Sequence, residues 1–152
     1  MLEFENTITI NRPIDEVFEF VANPENFPRW NYYVLSVNKL SEGPTGVETV
    51  YHQVRKTDQQ DFRITEFEHN RRMALRTSPQ STPQLEMQFA FYEQAGATRL
   101  RDKWKLDTGL PGALEWLGAR RVRAAVAENL AKLKQLMEEG QAILQDGRQT
   151  SL

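Results

Sequence analysis

Three side chains stand out as able to do chemistry. His52 is one of only two histidines in the chain, and histidine alone titrates near neutral pH without help from its surroundings. It alternates with Val50 and Val54 along an extended segment. If that face is turned inward, the imidazole enters the interior. If Tyr51 and Thr49 face inward instead, His52 lies on the surface. Asp102 interrupts the apolar row Leu100, Trp104, Leu106, while Arg99, Arg101, Lys103 and Lys105 mark the opposite face. A carboxylate in that row is costly unless it is paired or hydrated, so it either partners a buried base or lines a wet cavity. Arg29, in an aromatic turn ending at Trp30, is the nearest cation for an acidic or enolate-like ligand group.

His52 and Asp102 together would make an acid/base pair, with His52 taking a proton alpha to a carbonyl and Asp102 orienting it. That scheme requires both side chains to reach one common void. His69, in the charged turn Glu68-His69-Asn70-Arg71, reads as solvated. Other chemistry is excluded by what is missing. The 152 residues contain no cysteine, which removes disulfides, thiolate nucleophiles and thiolate metal sites. Two histidines cannot form a multi-histidine metal centre, and no phosphate loop, Gly-x-Ser-x-Gly or His-Glu-x-x-His is present. No metal and no cofactor is expected.

The charge balance of 19 basic against 21 acidic residues, net -2, gives no overall pull toward nucleic acid or an anionic membrane. The basic row Arg99 to Lys105 then reads as a solvated sheet face, with Glu66, Glu68, Glu86 and Gln88 on candidate neighbouring strands as partners. No apolar run approaches the roughly 20 residues that span a bilayer, so integral membrane association is not expected. The alternating, acidic start Met1-Leu2-Glu3-Phe4-Glu5 is unlike a secretion signal, which makes a cytoplasmic location the expectation.

The elements that position these residues follow from periodicity. Leu2, Phe4, Ile8 and Ile10 recur with period two, interrupted by Asn6, as in a half-buried strand. Pro13 suits a helix start, and Ile14, Val17, Phe18 and Val21 form one helical stripe that ends at Asn23-Pro24. After the turn closing on Trp30, strands are predicted over Tyr32 to Leu40, Val47 to Lys56, Asp61 to Glu68, Arg72 to Ser78, Gln84 to Glu93 and Ala97 to Asp107. Turn chemistry at Ser41 to Gly46 and Gln94 to Gly96 makes hairpins. From Gly112 onward, Leu114, Leu117, Val122, Val126, Leu130, Leu133 and Met137 follow helical spacing, with Gly140 as a C-cap.

The prediction is therefore a single α+β domain over residues 1–144 and a disordered tail at 145–152. A seven-stranded antiparallel sheet twists as it grows, and one long helix is the only element able to cover its apolar face. Where sheet and helix diverge, a gap for a small molecule is expected. Its wall would be Leu85, Met87, Phe89, Leu100 and Trp104, with Trp30 and Tyr51 at its border and His52, Asp102 and Arg29 as polar groups.

Three stretches carry a resemblance to a known family. Ile10-Asn11-Arg12-Pro13 through Pro28-Arg29-Trp30 is similar to the opening of the polyketide cyclase/dehydrase-like branch of the START and birch-pollen-allergen superfamily. Gly43 to Tyr51 resembles that family's glycine-containing hairpin, and Gly96-Ala97-Thr98-Arg99-Leu100 its entry to the last strand. The resemblance spans about residues 2 to 140. It implies the helix-grip fold, a hydrophobic cavity opening near the end of the long helix, and no obligatory cofactor. Members range from aromatase/cyclases to lipid, hormone and quinone carriers. Binding of an apolar or aromatic molecule is thus the first expectation. A cyclase or dehydratase using His52 and Asp102 is the second, and a protein-partner module the third.

Overall fold

The computed structural model describes residues 1–152. The chain runs through β1 (Leu2–Ile10), α1 (Ile14–Val21), a 3-10 turn (Pro24–Arg29), β2 (Val34–Lys39), β3 (Val50–Arg55), β4 (Gln59–Glu68), β5 (Arg72–Thr77), β6 (Gln84–Gln94), β7 (Ala97–Asp107), α2 (Gly112–Glu139), β8 (Gln141–Ile143) and β9 (Gln149–Ser151). The first seven strands form one sheet in the order β1-β7-β6-β5-β4-β3-β2, antiparallel throughout. The β6–β7 turn shows how sequence sets register. Gln94 and Ala97 are direct partners, and Ala95 and Gly96 both have positive φ, 51° and 84°. That is the tight hairpin whose twist matches the strands it joins, and Gly96 takes the position a side chain would strain.

One face of this sheet is turned to α1, the 3-10 turn and the C-terminal half of α2. Ile10, Val17, Phe18, Phe27, Trp30, Tyr51, Phe62, Ile64, Phe89, Leu100, Leu130 and Leu133 belong to one continuous buried cluster. The helix-grip arrangement expected from the element order is the one observed, with α2 lying along β1 at the sheet edge. On the outer face the charges pair across strands. Lys103 reaches Glu3 (3.5 Å) and Arg101 reaches Glu5 (3.9 Å). Glu86 stands opposite Lys105 of the basic row, as expected, and its carboxylate also holds Arg76 (2.9 Å) on β5, where Glu66 holds Arg72 (3.0 Å).

Two expectations are corrected. The apolar stripe of α2 does not include Leu114 and Leu117, which are 56% and 55% exposed. Traced back from Leu133, the buried row passes through Leu130, Val126, Val122, Ala119 and Glu115 at steps of three and four. A helix can turn only one such row to the sheet, and Leu114 and Leu117 lie off it. The tail at 145–152 is also not disordered. Gly140, at φ 80°, ends α2 in the left-handed conformation that relieves the last carbonyls, and β8 and β9 then pair as a hairpin. Ala142 and Leu144 are buried, Gln145 bonds Asn129 (3.0 Å) and Lys56 bonds Asp146 (3.1 Å).

Candidate functional site

The parity of β3 decides the fate of the acid/base pair. Tyr51 is fully buried, stacked on Phe62 with ring centroids 5.4 Å apart, and its hydroxyl lies 3.2 Å from Thr45 Oγ1. Side chains alternate along a strand, so His52 must point to the outer face. There its Nδ1 lies 2.6 Å from Asp61 Oδ1 and its Nε2 2.9 Å from Gln59 Oε1. The bond to Asp61, supported by Gln59, raises its pKa above the usual histidine value.

Asp102 projects from the other face. β7 and β3 are separated by β6, β5 and β4, which at the spacing of paired strands is about 19 Å. His52 and Asp102 cannot share a substrate, and the proposed pair is dismissed. Arg29 is also misassigned. Its guanidinium passes over the Phe20 ring at 5.2 Å, donates to Asn26 Oδ1 (3.2 Å), and donates from both Nε and Nη2 to the Ser151 carbonyl. It fastens β9 to the domain and does not reach the interior. His69 is exposed, as expected.

Tyr51 on β3 and Trp30 after the 3-10 turn are buried elsewhere in the core, but the remaining candidates do meet on the inner face. Leu85, Met87 and Phe89 of β6 line up beside Leu100, Asp102 and Trp104 of β7, with Met87 opposite Trp104 and Phe89 opposite Asp102. Across the other edge, Phe4 stacks on Trp104 at 5.7 Å. Asn6 is the register partner of Asp102 and donates from Nδ2 to the Arg123 carbonyl of α2 at 3.2 Å. Phe4, Met87 and Trp104 are only partly buried, whereas Phe89 and Leu100 are core residues.

Asp102 is the most unusual group in this set. It is 1% exposed, and Oδ1 has no hydrogen-bond partner. Burial pushes its carboxyl up to about 7, with the nearby Trp104 indole offsetting part of that rise. Even so, the indole Nε1 closes no hydrogen bond of ordinary geometry. An acceptor and a donor therefore stand unsatisfied side by side on an apolar wall, and such groups require a reason. Trp30, buried and packed edge-on against Phe27 at 5.7 Å, also leaves its Nε1 unpaired.

Further along the same face, Phe27, Gln53, Gln60, Phe62, Leu75, Thr77, Leu85 and Met87 enclose a void of about 20 Å³. That volume admits a single water, far below the roughly 300 Å³ at which ligand pockets begin. Sequence reasoning missed Gln53, Gln60 and Thr77 as interior polar groups and Asn6 as the half-buried neighbour of Asp102. The signal for Asn6 was its break in the period of β1. Gln53 becomes legible only once Tyr51 is known to face inward.

Sheet topology, the covering helix and a mostly apolar inner wall together define a helix-grip fold. The sequence model for the family described as polyketide cyclase / dehydrase and lipid transport matches residues 1–138, and the chain belongs to that family. Among solved structures it is similar to a START superfamily protein from Mycobacterium smegmatis, with TM-score 0.73 and 14% identity over 90% of this chain and 97% of that one. TTHA0849 from Thermus thermophilus superposes with TM-score 0.73 at 17% identity, covering 88% and 95% of the two chains. The di-domain ARO/CYC BexL, from the BE-7585A biosynthetic pathway, gives TM-score 0.64 and 20% identity over 88% of this chain and 47% of BexL. Identities this low speak for the fold alone. No curated protein sequence matches the chain.

Proposed function

We propose that this protein binds an apolar, ring-bearing small molecule non-covalently between the inner sheet face and the first half of α2. The observation that carries the reading is the unsatisfied pair Asp102 and Trp104, set among Phe4, Met87 and Phe89. A ligand bearing one hydroxyl, which accepts from the Trp104 indole and donates to Asp102 Oδ1, would satisfy both groups, and its ring would bury the apolar surface that Phe4, Met87 and Trp104 leave half open. A single well-placed polar group in an apolar pocket is how such sites fix orientation.

Admission of a ligand requires α2 to shift at its start. That half of the helix is the weakly held one. It buries Ala119 and Glu115 and is tied by Thr108 Oγ1 to Glu115 Oε2 (2.9 Å) and by Asn6 to the Arg123 carbonyl. The second half is anchored by Val126, Leu130, Leu133, Leu136 and Met137. Segments with few buried apolar contacts open at the lowest free energy.

The test is a titration of polyaromatic, sterol and fatty molecules, followed by tryptophan emission and by native mass spectrometry. At least one class should form a 1:1 complex that perturbs emission, and Trp104→Phe should remove most of that perturbation. A panel without any response would overturn the reading. One observation favours a second reading. A buried carboxyl titrating near 7 can exchange a proton at neutral pH, so Asp102 alone, without His52, would serve a cyclisation or dehydration. Turnover lost in Asp102→Asn with binding retained would establish it.

A further inference from the structure

The start of α2 is exposed in an unusual way. Leu110, Leu114, Trp116 and Leu117 are each 53–56% accessible. No other stretch of the chain exposes so many large apolar side chains so close together. The next turn carries Arg120, Arg121 and Arg123, all exposed. Elsewhere on the surface, Arg63, Arg71, Arg72 and Arg76 each hold a carboxylate. These three arginines hold none, and Arg120 lies instead over the Trp116 ring at 5.2 Å. The one carboxylate within this stretch, Glu115, is buried against Thr108 and does not neutralise them.

The two groups are ordered along the helix axis. At 1.5 Å rise per residue, the arginine collar sits about 9 Å beyond the centre of the apolar tip. Leu114, Leu117 and Arg121 fall on one side at i, i+3 and i+7, and Trp116, Arg120 and Arg123 on another at i, i+4 and i+7, so tip and collar extend over much of the circumference. An apolar tip entering the acyl boundary by about 5–10 Å, with cations at the depth of the phosphates, is how interfacial segments seat themselves. Tryptophan beside a cation belongs at that boundary.

We propose that this end of α2 docks on an anionic lipid surface, with Leu110, Leu114, Trp116 and Leu117 inserted and Arg120, Arg121 and Arg123 on lipid phosphates. The charge argues for lipid over a second copy of the chain. A self-complementary face would set the same unpaired arginines against one another, whereas anionic headgroups neutralise them. The proposal stands on the exposed surface alone and does not depend on any molecule bound inside. Docking would nonetheless engage the weakly held half of α2, which lies along β1 and is bonded through its Arg123 carbonyl to Asn6, the register partner of Asp102.

The experiment is co-sedimentation of the full chain with vesicles of phosphatidylcholine alone and with about 30% phosphatidylglycerol. Binding should require the anionic lipid and weaken with salt, and the emission of Trp116 should shift to the blue. At about a factor of five per arginine near the surface, Arg120→Gln, Arg121→Gln and Arg123→Gln together should weaken binding about 100-fold. Leu114→Ser with Leu117→Ser should abolish the blue shift. All these positions are exposed, so circular dichroism should be unchanged. Absence of binding to anionic vesicles by the folded chain would overturn the proposal, as would binding indifferent to the arginine changes. A dimer in light scattering that dissociates in the Leu114→Ser, Leu117→Ser variant would overturn it too, since the patch would then belong to a second copy.

Discussion

Asp102→Asn should stabilise this protein, and increasingly so as pH rises. In the native chain burial holds the Asp102 carboxyl at about 7, against 3.8 when unfolded. At 1.36 kcal/mol per pH unit this amounts to about 4 kcal/mol of stability lost by pH 8. The sign follows from proton counting. Between 3.8 and about 7 the folded state keeps the proton and the unfolded state releases it, so unfolding releases a proton and stability falls with rising pH. Stability from this group is complete below 3.8 and lost as pH climbs through about 7.

Asparagine has nearly the same shape and does not titrate. Its advantage over the native residue should therefore grow by about 3 kcal/mol from pH 5 to pH 8, or roughly 6–12 °C in Tm for a domain of this size. Urea denaturation of both proteins at several pH values measures it, with Asp15→Asn on the exposed side of α1 as control. A difference that stays flat within about 0.5 kcal/mol would refute the reasoning. Asp102 would then be solvated or partnered, and the unsatisfied pair on which the binding site rests would not exist. A ligand that donates a hydrogen bond to Asp102 should pull its pKa down and flatten the profile of the native protein.

Other outcomes follow from the same structure. In an NMR titration His52 should lose its proton above the usual histidine value near 6.5, and Asp61→Asn should bring it back down. Because His52 points outward, His52→Ala should leave ligand affinity unchanged within a factor of about two. Leu133→Ala, at a fully buried position of α2, should cost about 2–5 kcal/mol in chemical denaturation. Truncation after Gly140 removes Ala142 and Leu144 from the core and leaves Arg29 without the Ser151 carbonyl. A loss of about 2–4 kcal/mol is expected from the apolar side chains alone.

Much of the architecture was legible in the amino-acid sequence because it rests on local chemistry. Period-two alternation gave β1, β6 and β7, turn residues gave the hairpins, and Gly140 marked the end of α2. The inner wall of Leu85, Met87, Phe89, Leu100 and Trp104 followed from the same alternation, since charged residues occupied the other parity. Asp102 was visible as a carboxyl in an apolar row, and burial made it a strained acid rather than half of a pair.

What tertiary structure alone decided concerns faces and partners. β3 offers Tyr51 and Gln53 on one side and Val50, His52 and Val54 on the other, and both read as acceptable interiors. Only the stacking of Tyr51 on Phe62 chooses between them, and a shift of one residue inverts every side chain. Arg29 found its acceptor in Ser151, far along the chain, beyond the reach of any local pattern. Leu114 and Leu117 match helical spacing as well as Ala119 does, but the direction of α2 across β1 admits only one row to the core. Periodicity identifies which surfaces are apolar, while the packing of one element on another determines which of them is buried.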